Sequence, residues 1–291
     1  MKHYFRVSPA PINKRSLFSA WLSDFSITGW LIFFNILFFI VFLVLAAFLK
    51  EEATNLFALQ ANNLFENGYL WTLITSMFIH ASFFHLFVNM FSLFFIGRFL
   101  EMLIGRKRFF WMYIFSGIFA GLFFAGLSYL FGGNALGARI FGSPEDFAVG
   151  ASGAIFAIAG VLALLTPKNR VYLIAGPLIA IILQAIIAIV VKSETILSIV
   201  NIALTFYIFL AIFSLLSFNR ALNKISLPIE MPFWLLPIVA IIPLAVIGLF
   251  FKLPIGNMAH LGGFIAGALY GIYLRLKYKR KTRMISEYFS R

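Results

Sequence analysis

The chain of 291 residues is 62% hydrophobic and 11% charged, and its mean hydropathy of +0.99 is far beyond a soluble domain, where about 45–50% of residues are apolar; most of it is expected to form one membrane domain. A net charge of +13 would suit nucleic acid, but the basic residues sit in short loops beside apolar runs, where they set membrane topology, and no nucleic-acid partner is expected. The absence of cysteine excludes disulfides, thiolate catalysis and Cys-ligated metals.

In chain order, residues 1–28 form a basic segment with Lys2, Arg6, Lys14 and Arg15, interrupted by Pro9, Pro11 and Asp24. No small-residue cleavage site follows the first apolar run, so no removable signal peptide is expected. Eight apolar segments then follow: Trp30 to Leu49, Phe83 to Gly97, Phe109 to Phe131, Val149 to Thr166, Val171 to Val191, Ile196 to Phe218, Phe233 to Phe251 and Ile255 to Leu274. None contains Asp, Glu, Lys or Arg. Each approaches the roughly 20 residues that a bilayer core of about 30 Å requires, and only helices are expected to span it.

With the N-terminus placed in the cytoplasm, nineteen of the 23 Lys and Arg residues fall on the inner side, so the positive-inside rule predicts an N-in, C-in protein of about eight spans. Residues 29–276 form the transmembrane domain and 277–291 a basic cytoplasmic tail. The loop from Lys50 to Ser82, with Tyr69, Leu70 and Trp71, is expected along the outer interface, where aromatic side chains sit at headgroup level.

Three clusters near span ends carry chemistry: His85 to Asn89, Gly150-Ala151-Ser152-Gly153, and Ala259-His260 with Gly263 and Gly267. At a helical rise of about 1.5 Å per residue, Asn89, Ser152 and His260 all lie roughly 5–9 Å below the outer boundary. Alone, the small-residue tetrad reads as helix packing, which Ala154, Ala157 and Gly160 continue. A lone His260 or Asn89 reads as an interhelical hydrogen-bonding group. Together they suit acyl transfer: His260 can take the proton of a Ser152 nucleophile, and His85 and Asn89, four apart on one helix face, can stabilise an oxyanion. With no span carboxylate, a Ser/His dyad is expected, its imidazole oriented by packing against Phe156. Gly263 and Gly267, one turn apart, would bring the His260 helix close to the Ser152 helix.

Taken together these motifs resemble the rhomboid family of intramembrane serine proteases. Trp71 to His80, His85-Leu86 and Asn89-Met90 are similar to its first loop and second core helix; Gly150, Ser152, Gly153 and Ala154 to its serine motif; and Ala259, His260, Gly263 and Gly267 to its histidine motif. Glu101 and Gly105 also fit the family's pattern. The resemblance implies an all-α bundle with a six-helix core, Ser152 as nucleophile, His260 as base, and His85, Asn89 and the Ser152 amide as oxyanion donors. It further implies no cofactor and, as partners in the bilayer, transmembrane protein substrates cut near the outer surface at small, helix-weakening residues. Two departures stand out. Thr72 follows Trp71 where the family often has arginine, and the dyad members are 108 residues apart, which predicts an inserted hairpin over residues 195–252.

Other readings are a rhomboid-like protein that binds membrane clients without cutting them, and a transporter using Asn35, Gln184 and Asn201. No intramembrane Asp is present for aspartyl proteolysis, and His80 and His85 do not make a His-Glu-x-x-His zinc helix, so no metal site is expected. A cell-membrane location is expected, with the active site facing the extracytoplasmic side.

Overall fold

In the computed structural model the described residues are 26–214, 220–250 and 256–289; most of the predicted basic N-terminal segment lies outside them. Helix α1, Ile27–Leu49, starts at Ser26, whose side chain accepts from the Gly29 amide. Glu101, only 6% exposed, accepts from the amides of Ile27 and Thr28 at 2.9 Å each and from the Thr28 hydroxyl at 2.6 Å. A carboxylate suits this place because the first amides of a helix lack partners within it and carry its positive dipole end.

The loop from Lys50 to Ser82 folds into three short helices, α2 (Glu51–Phe57), α3 (Ala61–Phe65) and α4 (Thr72–Thr75). Helix α5 runs from Phe83 to Ile104 through a π-helical turn at Leu93–Gly97, longer than the apolar segment ending at Gly97. Gly105, at φ +85°, turns the chain into α6 (Arg106–Phe131), followed by α7 (Ala135–Phe141) and α8 (Ser152–Leu165). Beyond these lie strand β1 (Arg170–Ile174), α9 (Ala175–Val190), α10 (Glu194–Ser214), strand β2 (Pro228–Pro232), α11 (Leu236–Phe250), α12 (Asn257–Lys277) and α13 (Lys279–Tyr288).

The chain is a polytopic helical bundle. Among the described residues, α1, α5, α6, α10 and the stretch Phe233–Phe250 are long and apolar enough to cross a bilayer, and α8 and the start of α9 are shorter apolar helices. The centre is α8, buried at nearly every position from Gly153 to Leu165. It packs most extensively on α12 and next on α6, while α1 exposes a face of Phe33, Ile40, Leu43 and Val44 suited to lipid.

Two features depart from the sequence expectation. The predicted span from Val171 opens as a strand: β1 pairs antiparallel with β2, Arg170 opposite Pro232 and Ile174 opposite Pro228. Hydropathy does not separate a strand from a helix here; the β-prone run Val171-Tyr172-Leu173-Ile174, with Pro228 and Pro232 confined to strand ends, does. The helices also pair differently from a hairpin over 195–252. Helix α10 packs on α9, whereas α11 packs on α7, α8 and α12. The β1–β2 clasp closes the foot of the α9–α10 pair, and Ala180, Ile208 and Ile212 of that pair lean on Phe84, Phe87, Val88 and Phe91 of α5.

Candidate active site

Ser152 is the first residue of α8, so its backbone N–H is one of the donors without a partner inside the helix. Its hydroxyl lies 2.9 Å from Nε2 of His260, which stands in the first turn of α12. The imidazole stacks on Phe156, ring centroids 4.4 Å apart and planes at 20°. Phe156 is one turn beyond Ser152 on the same helix, so the ring that holds the histidine and the hydroxyl facing it are fixed by one backbone.

Glycines make the approach possible. A side chain at Gly263 would run into the carbonyl of Gly153, and one at Gly267 into the carbonyl of Ala157. A Cβ at Gly160 would stand 2.6 Å from the Phe264 carbonyl oxygen, and one at Gly153 would stand 2.8 Å from Ala120 on α6. Backbones this close exclude even a methyl group, and the two helices carry the serine and the histidine at the contacting end.

The second cluster comes from α5. Ser82 caps the helix by accepting from the His85 amide at 3.1 Å. One turn later Asn89, buried, donates from Nδ2 to the His85 carbonyl at 2.9 Å. An amide nitrogen has two N–H donors, which leaves one for a ligand. Gly150 joins this cluster to the serine: it adopts φ +112°, and a Cβ there would lie 2.7 Å from His85 Cε1 and 3.7 Å from Asn89 Nδ2. The expected residues Ser152, His260, Phe156, His85, Asn89, Gly150, Gly153, Gly263 and Gly267 therefore occupy one region. Among the described residues, no three His, Cys, Asp or Glu side chains converge to hold a metal ion.

Other residues fix the chain before Ser152. The Gly150 amide donates to the Ser76 carbonyl at 2.8 Å, and the Ala151 amide points at Nε2 of His80 at 3.5 Å. His80 is 1% exposed and its ring meets that of His85 edge-on at 5.0 Å. Burial, and then the neighbouring His85, pushes the His80 imidazole down to about 3, so Nε2 stays an acceptor at neutral pH. Leu59 and Ala148 exchange both backbone hydrogen bonds, tying the loop from Lys50 to Ser82 to the same segment. On the other side Asn257, one turn before His260, donates to the Leu244 carbonyl of α11 at 3.3 Å. The sequence by itself assigns none of these positioning roles; it singles out His80 only as the end of the Trp71 to His80 stretch, and Asn257 not at all.

In the loop from Lys50 to Ser82, Tyr69 and Trp71 stack at 4.6 Å, and Leu70 and Trp71 are exposed. Trp71 donates from Nε1 to the Leu56 carbonyl. Thr72, in place of the frequent arginine, is fully buried and donates its hydroxyl to the Tyr69 carbonyl at 2.6 Å.

Residues 67–205 and 204–277 match the family model described as the Rhomboid domain. Shorter stretches match individual proteins. A Bacillus subtilis protein named "Putative rhomboid protease YdcA" is 40% identical over 96 residues, covering 33% of this chain and 41% of that protein. "Inactive RHOMBOID-like protein 8" of Arabidopsis thaliana is 41% identical over 58 residues, covering 20% and 16%, and "RHOMBOID-like protein 5" of the same plant is 34% identical over 99 residues, covering 34% and 28%. Each stretch is less than half of the relative's own length. With the family model matching more than half of the chain, and its serine and histidine motifs meeting across α8 and α12, the protein belongs to the rhomboid family.

Proposed function

We propose that the protein is an intramembrane serine endopeptidase that hydrolyses peptide bonds in or near transmembrane helices of other membrane proteins. The observation that carries this reading is the 2.9 Å contact between Ser152 Oγ and His260 Nε2 at the apolar junction of two helices.

In the proposed reaction the Ser152 oxygen attacks the scissile carbonyl carbon while Nε2 of His260 takes its proton. The carbonyl π pair moves to oxygen, and the resulting oxyanion is met by the Ser152 amide, the free N–H of Asn89 and the imidazole of His85. Collapse expels the amine, protonated by His260, and leaves an acyl ester on Ser152. Water then attacks the ester, His260 again holding the proton, and the acid product leaves. Stacking on Phe156 supplies the orientation that a carboxylate gives in a triad. This chemistry calls for no cofactor.

Positive-inside charge favours N-in, C-in orientation with Ser152 on the extracytoplasmic side of a cell membrane. The added element is best assigned to the α9–α10 pair, because the β1–β2 clasp brings the chain back to its starting point before α11. A non-cutting, client-binding role is the second reading, favoured by the likeness to the relative named as inactive. Labelling of the purified protein by a fluorophosphonate separates the two. An active peptidase gives a covalent adduct that is lost in Ser152→Ala and His260→Ala; a folded wild-type protein that takes no label overturns the proposal.

A further inference from the structure

Away from the dyad, α6 and α12 line a groove of about 570 Å³ between them. Its mouth is formed by Lys107 and Arg108 in the first turn of α6, and its walls by Trp111, Phe115 and Phe119 of α6 with Leu269 of α12. These four apolar side chains are 40–62% exposed, and Trp111 and Phe115 stack at 5.4 Å. Two hydroxyls line the wall, Ser116, which is committed to the Met112 carbonyl at 2.6 Å, and Tyr270, so the groove is cationic at one end and mainly apolar along its length.

Among the described residues, Lys107, Arg108 and the adjacent Lys277 have no ion pair with a carboxylate. Aromatic rings hold two of these cations. Arg108 donates to the Tyr278 hydroxyl at 3.0 Å and stands 4.8 Å from that ring's centre, and Lys277 donates to the Tyr273 hydroxyl at 2.7 Å. Phenols leave the positive charge intact, and the fixed guanidinium is preorganised for an anionic oxygen.

Length completes the match. From Arg108 to Phe119 the helix rises roughly 16 Å, about half of a hydrocarbon core of about 30 Å. A groove with cations at the interface and an aromatic wall one leaflet deep matches an amphiphile with an anionic head and an extended chain. Basic pockets between membrane helices recognise anionic headgroups in this manner.

We infer that this groove binds one anionic phospholipid from the leaflet opposite the catalytic mouth, its phosphate on Lys107 and Arg108 and one acyl chain along Trp111, Phe115 and Leu269. The lipid braces α12, because Leu269 lies on the helix that carries His260. The inference does not rest on the peptidase reading and is tested in the Ser152→Ala protein as well.

The full chain, stripped in a neutral detergent, is titrated with phosphatidylglycerol or phosphatidylcholine of identical acyl chains and analysed by native mass spectrometry and thermal unfolding. The expected result is a saturable one-lipid adduct with phosphatidylglycerol, about fivefold favoured for each cation engaged, and a rise in Tm with occupancy. Lys107→Gln is expected to remove about fivefold of the preference. Leu269→Trp, which fills the groove and keeps both charges, is expected to weaken both lipids. Equal retention of the two lipids, or a preference unchanged in Lys107→Gln, overturns the inference. Displacement of phosphatidylglycerol by glycerol phosphate also overturns it, because the site would then be a phosphate site and not a lipid groove.

Discussion

Gly150 and His85 are in such close contact that no side chain fits between them: a Cβ on Gly150 would stand 2.7 Å from Cε1 and 2.8 Å from Nε2 of the imidazole. The glycine is also held at φ +112°, a conformation that L side chains rarely adopt. Two separate reasons therefore require glycine at the position that links the serine turn to α5. Gly150→Ala is expected to lose about 1–3 kcal/mol of stability through backbone strain and to lower turnover about 10²-fold by displacing His85 and Ser152. Fluorophosphonate labelling rates, measured beside thermal unfolding, check both; a variant labelling at the wild-type rate would remove Gly150 from the site.

Helix contact makes a contrasting set of glycines. Gly267→Ala forces a methyl group against the Ala157 carbonyl and is expected to cost about 1–3 kcal/mol by overpacking, with labelling reduced because α12 moves away from α8. Gly126→Ala on α6 meets nothing within 4 Å and is expected to be neutral or to stabilise by about 0.5–1 kcal/mol. Thermal unfolding of the two variants in one detergent decides the matter, and equal Tm values would show that the close packing of α8 on α12 is not what these glycines serve.

Asn89 has one N–H engaged with the His85 carbonyl and one free for an oxyanion. Asn89→Ala and His85→Ala are each expected to lower kcat by about 10²–10³, with KM for a transmembrane peptide little changed, since the donors act on the tetrahedral intermediate. A rise in KM at constant kcat would place these side chains in substrate binding instead.

The imidazole of His80 is held down to about 3 by burial and by the neighbouring His85, below the ordinary value near 6.5. Between these values the unfolded protein binds more protons than the folded one, so stability rises with pH across this window and is fully present above about 6.5. Falling pH also turns Nε2 from an acceptor for the Ala151 amide into a donor. His80→Gln, neutral throughout and able to accept from the amide, is expected to flatten the decline of Tm between pH 6.5 and 4. Identical slopes in wild type and variant would assign the acid sensitivity elsewhere.

Much of this architecture is legible in the sequence. Composition and segment length identify a polytopic helical bundle, because a chain without water around it must satisfy its backbone within helices. Helical rise puts Ser152, His260 and Asn89 at similar distances from their segment ends, and helical spacing puts Phe156 one turn beyond Ser152; in the fold Ser152 Oγ lies 2.9 Å from His260 Nε2, and Phe156 stacks on that imidazole at 4.4 Å. These features depend on local periodicity, which the sequence carries directly. Tertiary structure alone decided the rest. The acceptance of the Ala151 amide by His80, the tie from Asn257 to α11 and the shaping of Gly150 by His85 join residues whose separations follow no helical or strand period. The β1–β2 clasp, which pairs α10 with α9 and leaves α11 to α7, α8 and α12, escaped hydropathy because a strand of Val171, Tyr172, Leu173 and Ile174 is as apolar as the helix it precedes. Hydrophobicity specifies what leaves water, whereas shape and the pairing of buried polar groups specify which surfaces meet.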